Sequence, residues 1–275
     1  MKRNYSGNVI AILSLLIGIT ISCKKKELPV LSTSEVSNIR AFSATCGGNI
    51  TADGGETVTE RGVCYSTNPN PTKTDKHTSE GAHSGSFTSN LLGLAVGETY
   101  YIRAYATNSN GTEYGNQVSF TTTYTLGDTY QGGIIFKISG TYPDQQGFVT
   151  APSDLSLGAV WWNGSNIITG ASSPMEGFPN TTTIVSLQGN SATYAAKICR
   201  DYNGGGHNDW YLPAKNELSD LIAQYAMVGN LSADYYWSST ESSSANDQAY
   251  AVSSFMGVNQ MSKSSSLRVR AIRHF

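Results

Sequence analysis

Three short motifs near the C-terminal end constrain the fold of this chain more than any other feature. They read Asp-Trp-Tyr-Leu-Pro at 209–213, Tyr-Trp-Ser-Ser-Thr-Glu at 236–241 and Arg-Val-Arg-Ala-Ile-Arg at 268–273. Their large aromatic residues predict rigid core anchors, and the last motif predicts a closing strand. A Ser/Asn-rich stretch separates the second motif from the third, and no catalytic constellation accompanies them. A frame of large residues that holds small polar loops is typical of a binding protein.

The N-terminus predicts export and lipid attachment. A basic start at 1–3 precedes an apolar run at 9–21, which is shorter than the ~20 residues that a membrane-spanning helix needs and indicates a secretory signal. Thr20-Ile21-Ser22-Cys23 resembles a bacterial lipobox, with Thr20 in place of the usual Leu. We expect residues 1–22 to be a cleaved signal peptide and residues 23–27 to be a tether lipidated at Cys23. The alternative is an ordinary signal peptide with an incidental cysteine.

Composition predicts β-rich domains and excludes a nucleic-acid partner. Charged residues make up 14% of the 275, and the formal net charge is −2, so no broad positive field is available for a polyanion. Low charge combined with abundant Thr, Tyr and Gly predicts strands joined by turns. The length after the signal suits two domains.

The cysteines leave one question open. Cys46 and Cys64 can form a disulfide in the oxidising compartment of an exported protein, or they can remain as two buried free thiols. Cys199 is expected to be alone and buried on a helix. We expect no metal site and no cofactor.

Residues 28–123 alternate strands with turn signals. Residues 100–106 alternate strictly: Tyr100, Ile102, Ala104 and Ala106 are predicted to share the buried face of a strand. The spacing from Leu94 to Tyr100 resembles the tyrosine corner of β-sandwiches. With the segments 44–48 and 61–64, this region resembles a fibronectin type III domain of bacterial surface lipoproteins. The resemblance implies an all-β sandwich that acts as a spacer.

Residues 126–275 show a different order of elements. Two strands are followed by two helices and then by several strands, which predicts an α+β domain. The first helix is expected from a cap at Ser191 to about Arg200. The second follows Pro213, and its core stripe is predicted from the helical spacing of Leu218, Leu221, Ile222 and Tyr225.

This second region resembles the domain-of-unknown-function 1566 family, which includes the C-terminal domain of bacterial collagen-like adhesins. The resemblance implies a C-type-lectin-like fold and a role in attachment, and it brings no enzymatic activity. Its matching pieces are Gly-Gly-Ile-Ile-Phe at 132–136, Ala-Ala-Lys-Ile-Cys at 195–199, Asp-Trp-Tyr-Leu-Pro at 209–213, Glu-Leu at 217–218, Tyr-Trp-Ser-Ser-Thr-Glu at 236–241 and Val-Arg-Ala-Ile-Arg at 269–273.

The chemistry-bearing residues of this region predict binding without catalysis. His207 and Asp209 are close in sequence, but no serine elbow or reactive cysteine accompanies them. Glu241, Asn246 and Asp247 share one predicted loop, yet the triplets of calcium-dependent lectins are absent. Eight basic and eleven acidic side chains give residues 126–275 a formal charge of −3, which disfavours polyanion binding.

The segment 242–266 is the predicted ligand-binding surface. It mixes small polar residues with Tyr, Phe and Met, as paratopes do. The alternative is a polar turn region between edge strands. The candidate ligand-binding residues are Ser243, Asn246, Tyr250, Ser253, Phe255, Asn259, Met261, Lys263 and Ser265.

Together these patterns predict a multidomain cell-envelope lipoprotein, lipid-anchored in the outer membrane, on either the cell surface or the periplasmic face. A fibronectin-like spacer would present a C-type-lectin-like domain to a glycan or protein ligand. Two alternatives remain open. One is a structural subunit of a surface or fimbrial assembly. The other is a binding protein whose C-terminal segment is diversified by a retroelement.

The lipobox generates a first prediction. Cys23→Ser removes the only thiol that can take the lipid at the cleavage site, so we expect an unprocessed precursor without acyl label. Metabolic labelling with a palmitate analogue in a Gram-negative host measures this. Cys199→Ser serves as the control and is expected to keep the label; label that persists in the Cys23→Ser variant contradicts lipidation at this residue.

Overall fold

The computed structural model describes residue 1 and residues 26–141 and 143–275. The signal-peptide prediction and Cys23 fall on residues outside this set. Within it, none of the helices is both long enough and apolar enough to span a membrane.

Residues 30–121 form a β-sandwich, which we call the N-terminal sandwich. Its two sheets are all antiparallel, with strand orders β1-β2-β5 and β4-β3-β6-β7, and β8 also pairs with β6. The strands are β1 (Val30–Thr33), β2 (Ser43–Ala52), β3 (Glu60–Ser66), β4 (Lys76–His77), β5 (Gly85–Leu92), β6 (Thr99–Asn108), β7 (Gly111–Tyr114) and β8 (Val118–Thr121).

Strand β6 confirms two predictions from its sequence. Its alternate residues Tyr100, Ile102, Ala104 and Ala106 are all buried between the sheets. The tyrosine corner is also present, because the Ala95 N–H donates a hydrogen bond of 3.0 Å to the Tyr100 hydroxyl. The period-two pattern therefore predicted the core face of this strand correctly.

The disulfide alternative for Cys46 and Cys64 is wrong, because both thiols are free and buried. Cys46 lies in the core between the sheets. Val63 and Tyr65 of β3 also face that core, so Cys64 between them faces the opposite side of its sheet. Burial there raises the pKa of the Cys64 thiol to about 12.

Residues 129–274 form a second folded region, which we call the C-terminal unit. One sheet has the order β17-β11-β10-β9 and the other β12-β16-β13-β14-β15. Its elements are β9 (Thr129–Tyr130), β10 (Gly133–Ser139), β11 (Gln146–Thr150), β12 (Ser156–Ala159), α1 (Gly177–Gln188), α2 (Ala195–Asp201), a 3₁₀ turn (Gly204–Gly206), α3 (Lys215–Ala223), α4 (Tyr225–Val228), β13 (Tyr236–Glu241), β14 (Gln248–Ser253), β15 (Gly257–Ser262), β16 (Leu267–Val269) and β17 (Ile272–His274).

Three fully buried tryptophans form the centre of the C-terminal unit, which confirms the core role predicted for the aromatic motifs. Trp161, Trp210 and Trp237 all belong to the largest core cluster. Each indole N–H donates to a backbone carbonyl, at 2.8 Å for Trp161 and Trp237 and 3.0 Å for Trp210. These bonds remove the cost of burying the indole polar group.

The helices depart from the sequence-based expectation in three places. Helix α1 was not predicted, because its run Asn-Thr-Thr-Thr has low helix propensity and it buries few large apolar side chains. Helix α2 begins at Ala195, not near Ser191, and carries the buried Cys199 as expected. Helix α3 buries Leu218, Leu221 and Ile222 but ends at Ala223, so Tyr225 starts another short helix and is 49% exposed.

One carboxylate joins the N-terminal sandwich to the start of the C-terminal unit. Asp128 accepts hydrogen bonds from the Ala41 N–H at 3.3 Å, from Arg40 at 3.1 Å and from the Thr125 N–H at 2.9 Å. Asp128 is only 7% exposed. A buried carboxylate with several donors is a strong local constraint, so the short connection at 122–128 is held in one conformation.

The tyrosine corner generates a second prediction. Tyr100→Phe removes the hydroxyl that accepts from Ala95, so we expect a loss of about 1 kcal/mol in the free energy of unfolding. Urea denaturation measures it. The control is Tyr101→Phe on the other face of β6, whose hydroxyl makes no hydrogen bond within the described residues; equal losses in both variants would contradict a specific role for the corner.

Candidate ligand-binding site

The arginines of the terminal motif pair with acidic side chains. Arg268 contacts Asp154 and Asp234, each at 2.9 Å. Arg270 is fully buried, lies 2.9 Å from Asp154 and donates to the Ala151 carbonyl at 2.6 Å. The two arginines therefore tie the end of the chain to the segments before β12 and β13.

A buried ion pair lies beneath the predicted binding segment. The Lys263 ammonium is 2.5 Å from Glu241, and their side chains are 0% and 4% exposed. Lys263 also donates to the Asn246 carbonyl at 2.6 Å, and its ammonium lies 5.0 Å from the centre of the Trp161 ring. Glu241 in turn accepts from the Thr169 N–H at 2.9 Å. The pair thus holds together the loops at 163–171, 242–247 and 263–266.

Two of the nine candidate ligand-binding residues are corrected by this geometry. Lys263 is enclosed by Glu241, and no part of it reaches the surface. Ser253 is 2% exposed, donates to the Ala233 carbonyl at 2.6 Å and accepts from the Phe255 N–H at 3.2 Å. Both residues position loops and cannot contact a ligand in this structure. Glu241, predicted from the sequence to lie in a loop, is at the end of β13 and is likewise buried.

The other seven candidates are spread from one end of a sheet to the other. Strands β13 and β14 are antiparallel, as are β14 and β15, so the turn before β14 and the turn after it lie at opposite ends. Exposed candidates at the first turn are Ser243 and Asn246, while Phe255 lies in the second. Exposed Asn259 lies on β15, whereas Tyr250, Met261 and Ser265 are half-buried. The structure does not bring the nine residues into a single patch.

The second turn carries the most exposed apolar side chains of this segment. Phe255 is 88% exposed, Met256 50% and Val258 48%. They lie at the tip of the β14–β15 hairpin, and β15 is an edge strand whose six residues pair with β14 without a bulge. This tip projects at one corner of the C-terminal unit.

A shallow cavity of about 250 Å³ opens beside this tip, and we call it the hairpin-tip groove. Asn259 fixes one wall, because its amide donates to the Tyr235 hydroxyl at 2.7 Å and to the Met256 carbonyl at 2.9 Å. Across the groove, Leu157 is 73% exposed. The lining residues are Leu157, Asp234, Tyr235, Met256, Ser266, Leu267 and Arg268.

Sequence reasoning missed Leu157, Asp234 and Tyr235 as parts of this site. Leu157 precedes the predicted segment by more than eighty residues and resembles any other strand residue in the sequence. It reaches the groove only because β12 pairs with β16, with Ala159 opposite Leu267. No local pattern marks that pairing.

The acidic member of the one acid–base pair suggested by the sequence is bonded to an arginine. The Asp209 carboxylate accepts from Arg273 at 2.7 and 3.0 Å, and this bonding lowers the pKa of Asp209. Arg273, not His207, is therefore its partner. Across residues 26–141 and 143–275, no group of three side chains is placed to hold a metal ion.

Part of the C-terminal unit matches a known domain family. Residues 151–273 match the family model of the Lcl C-terminal domain, a C-terminal domain of an adhesin family. This range contains the whole hairpin-tip groove. No curated protein matches the chain.

Solved structures that match part of the chain include a redesigned β-sandwich protein and a fibronectin III domain. One is the sensor domain of the anti-sigma factor RsgI4 of Pseudobacteroides cellulosolvens, which is 16% identical, with 36% of this chain and 98% of that chain covered and a TM-score of 0.28. Another is the third fibronectin III domain of the human KIAA0343 protein, which is 16% identical, with 38% and 91% covered and a TM-score of 0.26.

The buried ion pair generates a third prediction. Lys263→Met leaves the Glu241 carboxylate buried without its cation, so we expect a loss of about 3–5 kcal/mol in the free energy of unfolding. The matched control Lys197→Met breaks the partly exposed pair with Asp201, which is expected to cost less than about 0.5 kcal/mol. Chemical denaturation of both variants measures the difference, and similar losses would contradict the role given to the buried pair.

Proposed function

We propose that this protein is an outer-membrane lipoprotein anchored through Cys23, and that it binds a protein ligand at the hairpin-tip groove. In this proposal the C-terminal unit has a C-type-lectin-like fold, the N-terminal sandwich is a fibronectin-type spacer, and the protein is not an enzyme. The match of residues 151–273 to an adhesin family supports attachment as the role.

The exposure of Phe255 is the observation that carries the proposal. The Phe255 ring is 88% exposed, and its chain neighbour Met256 lines the groove together with Leu157, which is 73% exposed, so a large apolar surface is left in water. Neither the Phe255 ring nor the Leu157 side chain belongs to a core cluster of the C-terminal unit. Apolar surface grouped around a cavity is typical of an interaction site, and rigid aromatic side chains are the usual anchors of such sites.

The charges around the groove favour a protein surface over a charged glycan. Arg268 is the cation in the lining, and it is already paired with Asp154 and Asp234. Residues 126–275 carry a formal charge of −3, which repels a polyanion. The hydroxyls of Tyr235 and Ser266 remain available to add hydrogen bonds to an apolar contact.

The junction at Asp128 supports the spacer role of the N-terminal sandwich. A presented binding site gains from a rigid connection, because a flexible one adds ordering cost when the ligand binds. Asp128 supplies such a connection by accepting from Arg40 and Ala41.

The second candidate function is a structural subunit of a surface or fimbrial assembly, and the same exposed tip favours it. If Phe255 contacts another subunit, the purified chain is expected to form oligomers, and the Phe255→Ala variant is expected to be monomeric. Light scattering after size-exclusion chromatography measures both. A monomer that binds target cells favours the adhesin.

Retroelement diversification is a variant of the binding proposal. It is supported by the exposure of Ser243, Asn246 and Asn259 in a segment outside the core. A near-copy repeat and a reverse transcriptase gene in the flanking DNA would establish it, and their absence would exclude it.

The groove generates a fourth prediction. Phe255→Ala and Leu157→Ser each remove apolar contact area, so we expect the affinity for target cells to fall about tenfold or more, equivalent to about 1.4 kcal/mol. The measurement is binding of the full chain to intact cells, with and without protease treatment of the cells. Leu92→Ser is the control, since Leu92 is 67% exposed on the N-terminal sandwich.

Each outcome of this experiment has a clear meaning. Loss of binding after protease treatment of the cells supports a protein ligand. If binding survives the protease and the chain also binds a glycan array, the ligand is a neutral glycan instead of a protein. Binding that is unchanged in both groove variants overturns the assignment of the site. Protease shaving of the producing bacterium tests the location, because a chain protected from protease cannot be an adhesin on the cell surface.

A further inference from the structure

A second cavity of the C-terminal unit has no role in the site described above. It has a volume of about 310 Å³, and we call it the aromatic cleft. It shares no lining residue with the hairpin-tip groove. The side chains that decide its chemistry are Phe148, Met175, Phe178, Tyr211, Glu217 and His274.

Two aromatic rings of the cleft, those of Phe178 and Tyr211, form a corner because they are nearly perpendicular to each other. Phe178 stands at 86° to Tyr211, with ring centres 5.7 Å apart. The His274 ring lies at 23° to Tyr211 and 6.1 Å from it, and the Phe148 ring lies 4.0 Å from His274. Phe178 is 44% exposed and Met175 is 58% exposed. A ligand in the cleft therefore meets aromatic rings from more than one direction.

A buried carboxyl group lies at the floor of this corner. Glu217 is 6% exposed and accepts from the N–H groups of Ala214 at 2.7 Å and Gly177 at 3.1 Å, and from the Tyr211 hydroxyl at 3.3 Å. Within the described residues, Glu217 forms no ion pair with a Lys, Arg or His. Lys137, the nearby cation, pairs with Asp220.

Two carboxyl groups face the cleft as acceptors, and two of its donors are already used. The Gly177 N–H and the Tyr211 hydroxyl both donate to Glu217, and Pro179 has no N–H to offer. The carboxylate of Glu176 adds a second negative group at the exposed rim. Burial lowers the pKa of His274, so its ring is neutral at pH 7 and does not repel a cation.

We propose that the aromatic cleft binds a small quaternary ammonium cation with a choline-like head. Aromatic faces attract such cations through the ring quadrupole, and several rings around one carboxyl are a recurrent solution for this chemistry. The proposal concerns a site separate from the hairpin-tip groove, so either can fail without the other.

A neutral sugar fits the same cleft less well. Sugar hydroxyls need donors as well as acceptors, and two of the donors here, the Gly177 N–H and the Tyr211 hydroxyl, are committed to Glu217. A sugar ring also stacks best on one open flat face, whereas Phe178 and Tyr211 meet at a right angle. A quaternary ammonium group needs no hydrogen bond and can contact two perpendicular rings at once.

The protonation of Glu217 gives the site a pH dependence. Burial raises the pKa of Glu217 to about 7, and a bound cation favours its ionised form. Affinity is therefore expected to rise as the pH increases from roughly 6 to 8. The other charged groups around the cleft are Glu176 at its rim, Lys137 paired with Asp220, and Arg200, whose guanidinium lies 5.4 Å from the centre of the Phe178 ring.

The test measures binding of choline to the full chain by calorimetry and compares it with 3,3-dimethylbutanol, the neutral isostere in which carbon replaces the charged nitrogen. Choline is expected to bind and the isostere to bind more weakly. Phe178→Leu keeps apolar bulk but removes the aromatic face, so we expect choline affinity to fall about two- to thirtyfold.

A matched control variant is Phe42→Leu. Phe42 is 42% exposed and also stands edge-on to a tyrosine, Tyr124, at 77°, but it belongs to the N-terminal sandwich. Choline affinity is expected to be unchanged in this variant. Thermal unfolding of both variants shows whether Phe178→Leu is folded, and Glu217→Gln, which keeps the shape of the side chain, is expected to abolish the pH dependence.

Three results would overturn the proposal. They are the absence of choline binding, equal binding of choline and its neutral isostere, and choline affinity that Phe178→Leu leaves unchanged in a folded protein. Binding to phosphatidylcholine vesicles, with free choline as competitor, separates a lipid headgroup from a free metabolite as the source of the cation. If free choline displaces the protein from the vesicles, the lipid headgroup is supported as the source of the cation. If the protein binds free choline but not the vesicles, a free metabolite is supported.

Discussion

The buried pair of Lys263 and Glu241 is the interaction on which the rest of the C-terminal unit depends. Neither charge can be buried alone, because desolvation without a partner costs several kcal/mol. The residues lie on different segments, one at the end of β13 and one after β15. Their pairing therefore brings the loops at 163–171, 242–247 and 263–266 together around Trp161.

The Ser/Asn-rich segment divides into residues that build the loops and residues that face outward. Ser253 and Lys263 are buried and bonded to backbone carbonyls, so they shape the turns. Phe255 and Asn259 use that support: the ring projects from the tip, and the amide ties the tip to Tyr235. The polar residues of this segment therefore include buried ones that shape its turns as well as exposed ones that can contact a ligand. The aromatic cleft follows a similar logic, since Glu217 joins the starts of α1 and α3 while its carboxyl lines a cavity.

Local sequence predicted the fold where one periodicity dominates. The alternation at 100–106 predicted the buried face of β6, and the spacing from Leu94 predicted the hydrogen bond of Tyr100. Helix α1 escaped prediction because its threonines disfavour a helix, and contacts such as the hydrogen bond between Thr181 and the Leu212 carbonyl stabilise it instead. Within the candidate segment, sequence reasoning named Phe255 and Asn259, which are exposed, but it also included Lys263, whose burial depends on a glutamate twenty-two residues away.

The sequence by itself determined the two-part organisation, the aromatic anchors Trp210 and Trp237, and the lack of charge for a polyanion. These properties depend on composition and on short-range spacing, which are complete in the chain before it folds. Only the tertiary structure decided which polar residues are accessible, that Cys46 and Cys64 lie on different sides of a sheet, and that Leu157 meets Met256 across a groove. Those outcomes follow from strand pairing and from the partners of buried charges, and residues far apart in sequence supply both.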